Sequence, residues 1–225
     1  MSGHPLGFDS QGRDLLSRLL AGARTTILAP TAIALIAVVV GTSLGLAAAW
    51  FGGMIDTIIA AALDLIFSFP GMLLAILAAA LFGRGAAAPV LALAIAYIPY
   101  LARVVRSAAL RERVKDYIVA QELQGFSGFT VCWKHLFPNL AAVVVAQGTL
   151  VFGYAIADYA AVSYLGLGVQ PPHPDWGVMV SEGQLGILVG YPMESLTAGV
   201  MIVIIVVAVN ILGERLMQGK EANRG

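Results

Sequence analysis

Residues 25–55 read TTILAPTAIALIAVVVGTSLGLAAAWFGGMI, a stretch that opens after Arg24, closes before Asp56 and holds no charged side chain. A helix needs about 20 apolar residues to cross roughly 30 Å of hydrocarbon, and this run supplies them. Further charge-free intervals run from Asp64 to Arg84, Arg84 to Arg103, His135 to Asp158 and Glu194 to Glu214. In lipid, backbone N–H and C=O groups must bond within the protein, which leaves helices or a closed barrel. A barrel needs alternating strands of about ten residues, whereas these runs are apolar on every face. The reading is all-α: a polytopic membrane helix bundle with five transmembrane helices. Alanine, glycine and valine fill the spans, and small side chains let helices pack closely.

Composition agrees. With 59% hydrophobic and 12% charged residues, the chain is too apolar for an ordinary soluble domain. A formal net charge of zero lacks the basic surplus that nucleic-acid binding needs. The single Cys132 excludes an intrachain disulfide and a cysteine-built metal site, and His4, His135 and His173 have no ligand spacing. Neither a metal nor a cofactor is expected. Residues 1–24 contain no apolar core of a cleavable leader.

Loop charges set the orientation. Arg103, Arg106, Arg111, Arg113, Lys115 and Lys134 crowd the segment from Arg103 to His135, whereas Tyr164 to Pro192 has neither Lys nor Arg. Cytoplasmic loops carry the positive excess, so the first segment is cytoplasmic and the second external. The expected division is an external amphipathic segment over 1–24, a transmembrane domain over 25–213 and a cytoplasmic tail over 214–225 with Arg215, Lys220 and Arg224. Within the domain lie a cytoplasmic docking loop over 108–138 and an external loop over 164–192. Spans near 26–51, 56–82 and 86–107 place the N-terminus outside, against the retention expected for Arg13, Arg18 and Arg24.

The cytoplasmic segment continues as KDYIVAQELQGFS over 115–127 and WKHLFPN over 133–139. Asp116 is placed to cap a short helix, and Gly125 to end it in the left-handed conformation that other residues avoid. Pro138 suits the first turn of the next helix, where its missing N–H is harmless. A short helix held between two spans and ended at a fixed glycine is a docking device; a solvated basic connector is the plainer reading of the same residues.

This loop resembles the cytoplasmic signature of ABC importer permeases, Glu-Ala-Ala, three residues, Gly, then a gap to hydrophobic-x-hydrophobic-Pro. Gly125 and Pro138 keep the spacing and Ala120 is retained, while Val119 stands where the family has Glu and Gln121 replaces the second Ala. Two further segments resemble the C-type subunit of dipeptide, oligopeptide and nickel importers: HPLGFDSQGRDLLSRL over 4–19, and SYLGLGVQPP over 163–172 followed by PDWG over 174–177. Asp64, Phe69-Pro70, Pro99, Arg103 and Arg106 match as well.

The resemblance implies a permease that hydrolyses nothing itself. Its expected partners are a second permease in a heterodimer, two cytoplasmic ATPases and an external substrate-binding protein, within a bacterial inner membrane. Asp116, Tyr117, Ala120, Gln121, Glu122, Gly125, Ser127 and Pro138 would form the ATPase-docking surface. Gly166, Gly168, Gln170, Pro171 and Trp176 would belong to an external loop whose stiff, aromatic character suits a binding protein, a gate or a structural plug. Short peptides are the expected cargo, with nickel chelates and glutathione as alternatives. The family has a membrane helix upstream of His4, so coding sequence before Met1 is expected.

Inside the spans, Asp158 lies beside Tyr154 and Tyr159, and a carboxylate at that depth costs a few kcal/mol unless it faces water or a partner. With Gln147 these residues are pathway candidates, although a place at the external mouth fits Asp158 equally. Asp56 and Asp64 read as solvated or Arg-paired, and Pro70 as a packing kink. A secondary transporter would need an ionisable relay and repeated halves, an intramembrane enzyme a nucleophile paired with a base; neither pattern is visible. The Gly213 to Lys220 run lacks phosphate-loop spacing and has Glu221 where Ser or Thr would hold magnesium.

Overall fold

The structure, a computed structural model, describes residues 4–221, with side chains as far as Arg215. Arg224 of the expected cytoplasmic tail lies outside the described residues. The elements in order are α1 (Leu15–Phe51), α2 (Gly53–Phe67), α3 (Gly71–Phe82), α4 (Ala87–Arg113), α5 (Asp116–Leu123), α6 (Gly128–Val131), a π-helical turn (Cys132–Leu136), α7 (Phe137–Tyr164), α8 (Trp176–Glu182), α9 (Gln184–Leu188) and α10 (Met193–Glu221). Among the described residues there is no strand beyond an isolated bridge between Phe8 and Asp14.

Among the described residues four helical runs are long and apolar enough to cross a bilayer: Leu15–Phe51, Ala87–Arg113, Gly128–Tyr164 and Met193–Arg215. The fifth expected span, over 56–82, is not one straight helix. It is the pair α2 and α3, bent by 76° at a short break. Pro70 ends the hydrogen-bond ladder there because it has no N–H to donate. Ser68 and Phe69 close α2 with N–H bonds to the carbonyls of Asp64 (3.0 Å) and Ile66 (3.2 Å). Before this pair, Gly52 and Gly53 take φ of +62° and +52°, a left-handed turn that a side chain would strain.

Two compact units share the long helices. One comprises the chain up to Ile33, Gly71–Leu93 and Phe152–Asn210. In it α1 starts at Leu15 rather than at Thr25, so the segment expected to precede the first span is partly its first turns. Asp14 caps that helix, accepting the Ser17 N–H at 2.8 Å and the Ser17 hydroxyl at 2.6 Å. Leu15 and Leu19 are buried with Trp176, Met179 and Ala198. Arg18, between them, meets three carboxylates: Asp9, Glu182 at 2.6 Å and Glu194 at 3.0 Å. Arg13 joins the cluster through Asp9 at 2.6 Å and Glu182 at 3.2 Å. Burial pushes the Asp9 carboxyl up, but the N–H groups of Arg13 and Gln11 and the guanidiniums of Arg13 and Arg18 hold it below its ordinary range.

The other unit comprises Ala34–Pro70, Ala94–Val151 and the chain from Ile211 on. Leu63, Ile98 and Ala102 are its buried contacts between α2 and α4, with Leu44 and Ile59 packed against them. α1 and α4 approach closely: a Cβ on Gly45 would stand 2.6 Å from the Ala102 carbonyl oxygen. Asp56 and Asp64 are both Arg-paired. Arg106 grips Asp56 through Nε and a terminal nitrogen, and Arg103 meets Asp64 at 2.6 Å.

Arg18→Met should therefore leave Asp9, Glu182 and Glu194 without their shared cation, and breaking such a buried pair costs about 3–5 kcal/mol. Thermal unfolding in detergent is expected to shift well below the parent; an unchanged transition would show that the cluster does not hold the unit. The Asp14 cap has a pH signature. The Ser17 hydroxyl and then His4 draw its carboxyl from 3.8 down to about 2. A depressed folded value adds stability that is complete above the unfolded value and is lost as the pH falls toward about 2. Asp14→Asn should flatten the acid limb of a melting series over that window.

Candidate functional site

The positively charged segment is built from the end of α4 onward. Arg113 turns back to α1 and donates to the carbonyls of Ala49 (3.0 Å) and Trp50 (2.6 Å), satisfying acceptors that a helix C-terminus leaves open. Its guanidinium also lies over the Trp50 ring at 5.0 Å. Glu112 is buried, takes the Lys115 ammonium at 2.7 Å and accepts the Tyr117 hydroxyl at 2.7 Å. Asn139, at the start of α7, donates to Tyr117 Oη at 3.0 Å and to the His135 carbonyl at 2.7 Å. Together with the fully buried Ile118, these bonds tie α5 to the helices on either side of it.

Asp116 does not cap α5. Lys115 occupies the cap position without a side-chain bond, and Asp116 is the first helical residue, where a carboxylate favours the helix dipole. The far end forms as the sequence leads one to expect. Gly125 has φ +81°, its N–H bonds Glu122 O at 3.0 Å, and the Phe126 N–H bonds Gln121 O at 3.3 Å. That double closure is a Schellman motif, and it needs the left-handed glycine. Ser127 then caps α6 by accepting the Thr130 N–H at 3.3 Å. Gly128 leaves room for Trp50, whose Nε1 would stand 2.7 Å from a Cβ there.

Pro138 does not begin a separate helix. α6, the π turn and α7 form one helical run over Gly128–Tyr164, with Pro138 two residues past the π turn. A proline ring clashes with the carbonyl four residues earlier, here Lys134, and the wider i→i+5 turn relieves that clash. The expected docking loop over 108–138 is thus largely helical.

Asp116, Tyr117, Ala120, Glu122, Gly125, Ser127 and Pro138 are exposed and Gln121 half-buried. The sequence reading missed larger side chains beside them. Leu123 is 84% exposed and Phe129 80%, with Trp133 and Phe126 also open. Trp133 stacks on Phe137 at 5.0 Å between centroids. Large exposed apolar groups rimmed by charged residues are where soluble surfaces meet a protein partner or a membrane. Their signal in the sequence was their incongruity among Arg111, Lys115 and Lys134.

The pathway candidates differ in exposure. Tyr154 is exposed and Asp158 half-buried, one helical turn apart on α7. Tyr159 is fully buried, so its ring fills the interior and does not line an aqueous path. Gln147 accepts the Tyr100 hydroxyl at 2.8 Å.

The loop over 164–192 contains α8 and α9, and its named residues serve one another. Gly166, at φ +72°, ends α7, and Gln170 Nε2 donates to the carbonyls of Gly166 (3.0 Å) and Gly168 (2.9 Å). Gly168 packs against Ser163, and Pro171 is exposed. Trp176 is buried and offers no surface to a partner; its Nε1 donates to Leu19 O at 2.8 Å and its backbone N–H to Thr26 Oγ1 at 3.1 Å. Asp175 caps α8 through the Gly177 N–H at 3.0 Å. Burial pushes its carboxyl up, more than the Thr26 hydroxyl and the Gly177 N–H draw it down. Among the described residues no three His, Cys, Asp or Glu side chains gather as a metal site.

Residues 37–219 match the family described as "Binding-protein-dependent transport system inner membrane component". The chain is 38% identical to a glutathione transport system permease protein of Pectobacterium atrosepticum, covering 96% of this chain and 71% of that one. It is 36% identical to a dipeptide transport system permease protein of Alkalihalophilus pseudofirmus (95% and 70% covered) and 37% identical to a di/tripeptide transport system permease protein of Pseudomonas aeruginosa (94% and 69%). In fold it resembles a chain of the MetNI methionine ABC transporter in an inward-facing conformation. That match has a TM-score of 0.72 and 19% identity, and covers 91% of this chain and 97% of that one.

Gly125→Val would force a β-branched residue into the left-handed region, at a cost of order 1–2 kcal/mol. Opening of the Schellman closure is expected to speed limited proteolysis between Gln121 and Ser127 several-fold, with membrane insertion unchanged. Equal cleavage of parent and variant would show that the closure does not set the position of α5.

Proposed function

The chain belongs to the family of binding-protein-dependent transport system inner membrane components, the permease subunits of ABC importers, and from that premise we propose that it imports short peptides through a heterodimeric pore. It is a multi-pass permease and not an enzyme; ATP hydrolysis belongs to a separate subunit of such importers. In our reading it sits in a bacterial inner membrane beside a second, non-identical permease, above two cytoplasmic ATPases and below an external binding protein. The relatives carry names for glutathione, dipeptide and di/tripeptide transport, all small molecules built on peptide bonds. That common chemistry supports a short-peptide cargo.

The observation that supports the docking assignment is the set of exposed apolar side chains at the end of α5 and just beyond it, Leu123 on α5 itself, Phe126 in the connection, Phe129 on α6 and Trp133 in the π turn. A docking element must be sticky outward and stiff inward. The apolar face supplies the first property. The Glu112–Tyr117–Asn139 bonds and the Schellman closure supply the second, so a displacement imposed on α5 is passed to α4 and α7 instead of being absorbed locally. Asp116, Tyr117, Gln121 and Glu122 contribute the polar rim of that surface, and Ala120, Gly125, Ser127 and Pro138 set its shape. Tyr154 and Asp158 remain our candidates for the pathway wall.

Burying one leucine is worth about 1.5–3 kcal/mol, and 1.4 kcal/mol is a factor of ten in affinity. Leu123→Glu should therefore cut ATPase co-purification with the assembled permease pair at least tenfold and abolish dipeptide uptake, with normal levels of the chain in the membrane. Retained ATPase together with lost uptake would move the docking surface elsewhere. Uptake of an unrelated solute but no peptide would overturn the cargo assignment.

A further inference from the structure

The Asp64–Arg103 pair differs from the other ion pairs of the spans in being open. Arg103 Nη2 meets Asp64 Oδ1 at 2.6 Å, yet the two side chains are 42% and 68% exposed. Arg103 lies on α4 at the end of the charge-free stretch 85–102, and Asp64 lies eleven residues past the start of α2, about 16 Å along the helix. An arginine at such a place can extend its long stem toward the headgroups, but an aspartate cannot. An exposed carboxylate there has to face water or a protein partner, because hydrocarbon would cost it a few kcal/mol.

Three features converge on this point. The break between α2 and α3 follows within a few residues of Asp64, and interrupted helices are where membrane transporters expose polar groups to cargo. Phe67, in the last turn before the break, lies under the Arg103 guanidinium at 4.3 Å and holds it in place. A cavity of about 240 Å³ opens beside the pair, its wall lowered by Gly45, Ala48, Ala60 and Ala102. Arg106, which also borders the cavity, is already gripped in two-point fashion by Asp56, whereas Arg103 holds Asp64 through one nitrogen. Arg103 and Asp64 are the charges that can turn to a guest.

We propose that Asp64 and Arg103 form a station on the translocation path that takes the two charged ends of a zwitterionic peptide, the carboxylate meeting its α-ammonium and the guanidinium its α-carboxylate. The pair neutralises itself when the station is empty, so neither charge stands unmatched between passages. A guest exchanges one ion pair for two, and the single-point contact lets the exchange reverse. This assignment rests on the peptide-importer reading above.

The test uses the complete permease–ATPase complex in nanodiscs, without binding protein, so that peptide reaches the path directly. Ala60→Cys, in a Cys132→Ala background, places a thiol on the cavity wall while leaving both charges intact. A charged, water-soluble thiol reagent is expected to label it, and millimolar dialanine to slow that labelling several-fold. N-acetyl-dialanine amide, which lacks both end charges, should give no protection, and Arg103→Gln should abolish the protection by dialanine. Absence of labelling would place the pair against lipid or the second permease and overturn the proposal, as would labelling that dialanine leaves unchanged. Dialanine uptake by cells carrying the parent transporter checks the importer reading separately: without uptake that reading fails, whereas uptake combined with an unprotected Ala60→Cys removes only this station.

Discussion

A charge beside hydrocarbon has to bring its counter-charge with it, and the rest of this structure is arranged around that requirement. The cost of an unmatched charge there is several kcal/mol, against a total folding stability of about 5–15 kcal/mol for an ordinary domain. Arg18 meets it with Asp9, Glu182 and Glu194, and in doing so fastens the segment before α1 to α8 and α10. Arg106 meets it with Asp56, and fastens α2 to α4. Arg113 uses the open carbonyls of α1 instead. Each neutralisation joins elements far apart in sequence, so matching the charges also selects the tertiary arrangement.

Apolar packing could not do this alone. Lipid tails are as apolar as leucine, so helices in a bilayer gain little from burying leucine against one another. What they gain is close contact, and small residues mark where it occurs. Gly45 sits against the Ala102 carbonyl, Gly41 against Leu101 and Gly128 against the Trp50 ring. These positions tolerate no side chain without a shift of backbone or of a bulky ring. Charge matching therefore chooses partners between elements, and glycine and alanine set how near those partners come.

The membrane class and the places of the apolar runs were legible because absence of charge over about 20 residues is a local property. Gly125 was legible for the same reason: a left-handed helix end is decided by one residue and its neighbours. What the sequence concealed depends on distant pairing. Trp176 looks like a surface aromatic in a loop, and only the Leu19 carbonyl and the Thr26 hydroxyl, some 150 residues away, turn it inward. Arg13 and Arg18 look like the free cations of a terminal segment, and two of the carboxylates that pair with them, Glu182 and Glu194, lie far along the chain. The bend at Pro70 was foreseen as a kink, but its size was not, since local chemistry says where the ladder breaks and tertiary packing says how far the two pieces diverge.

The same contrast separates the segment around α5 and α6 from the spans. In lipid an exposed leucine is at home, so exposure of Val203 or Ile204 on α10 carries no information about partners. In water it does. Leu123 and Phe129 lie among Arg111, Lys115 and Lys134, residues that keep a segment in the aqueous phase, and there an open apolar face calls for a protein cover. Reading exposure against the solvent each segment meets thus separates α10, whose apolar surface suits a bilayer, from α5 and α6, which we propose meet a partner. The stiffness of α5 gives that contact a use beyond adhesion. In the docking role we propose for it, a flexible tether would hold an ATPase but dissipate its motion, whereas a helix closed by a Schellman motif and bonded through Tyr117 to both Glu112 and Asn139 is suited to pass that motion to the spans it joins.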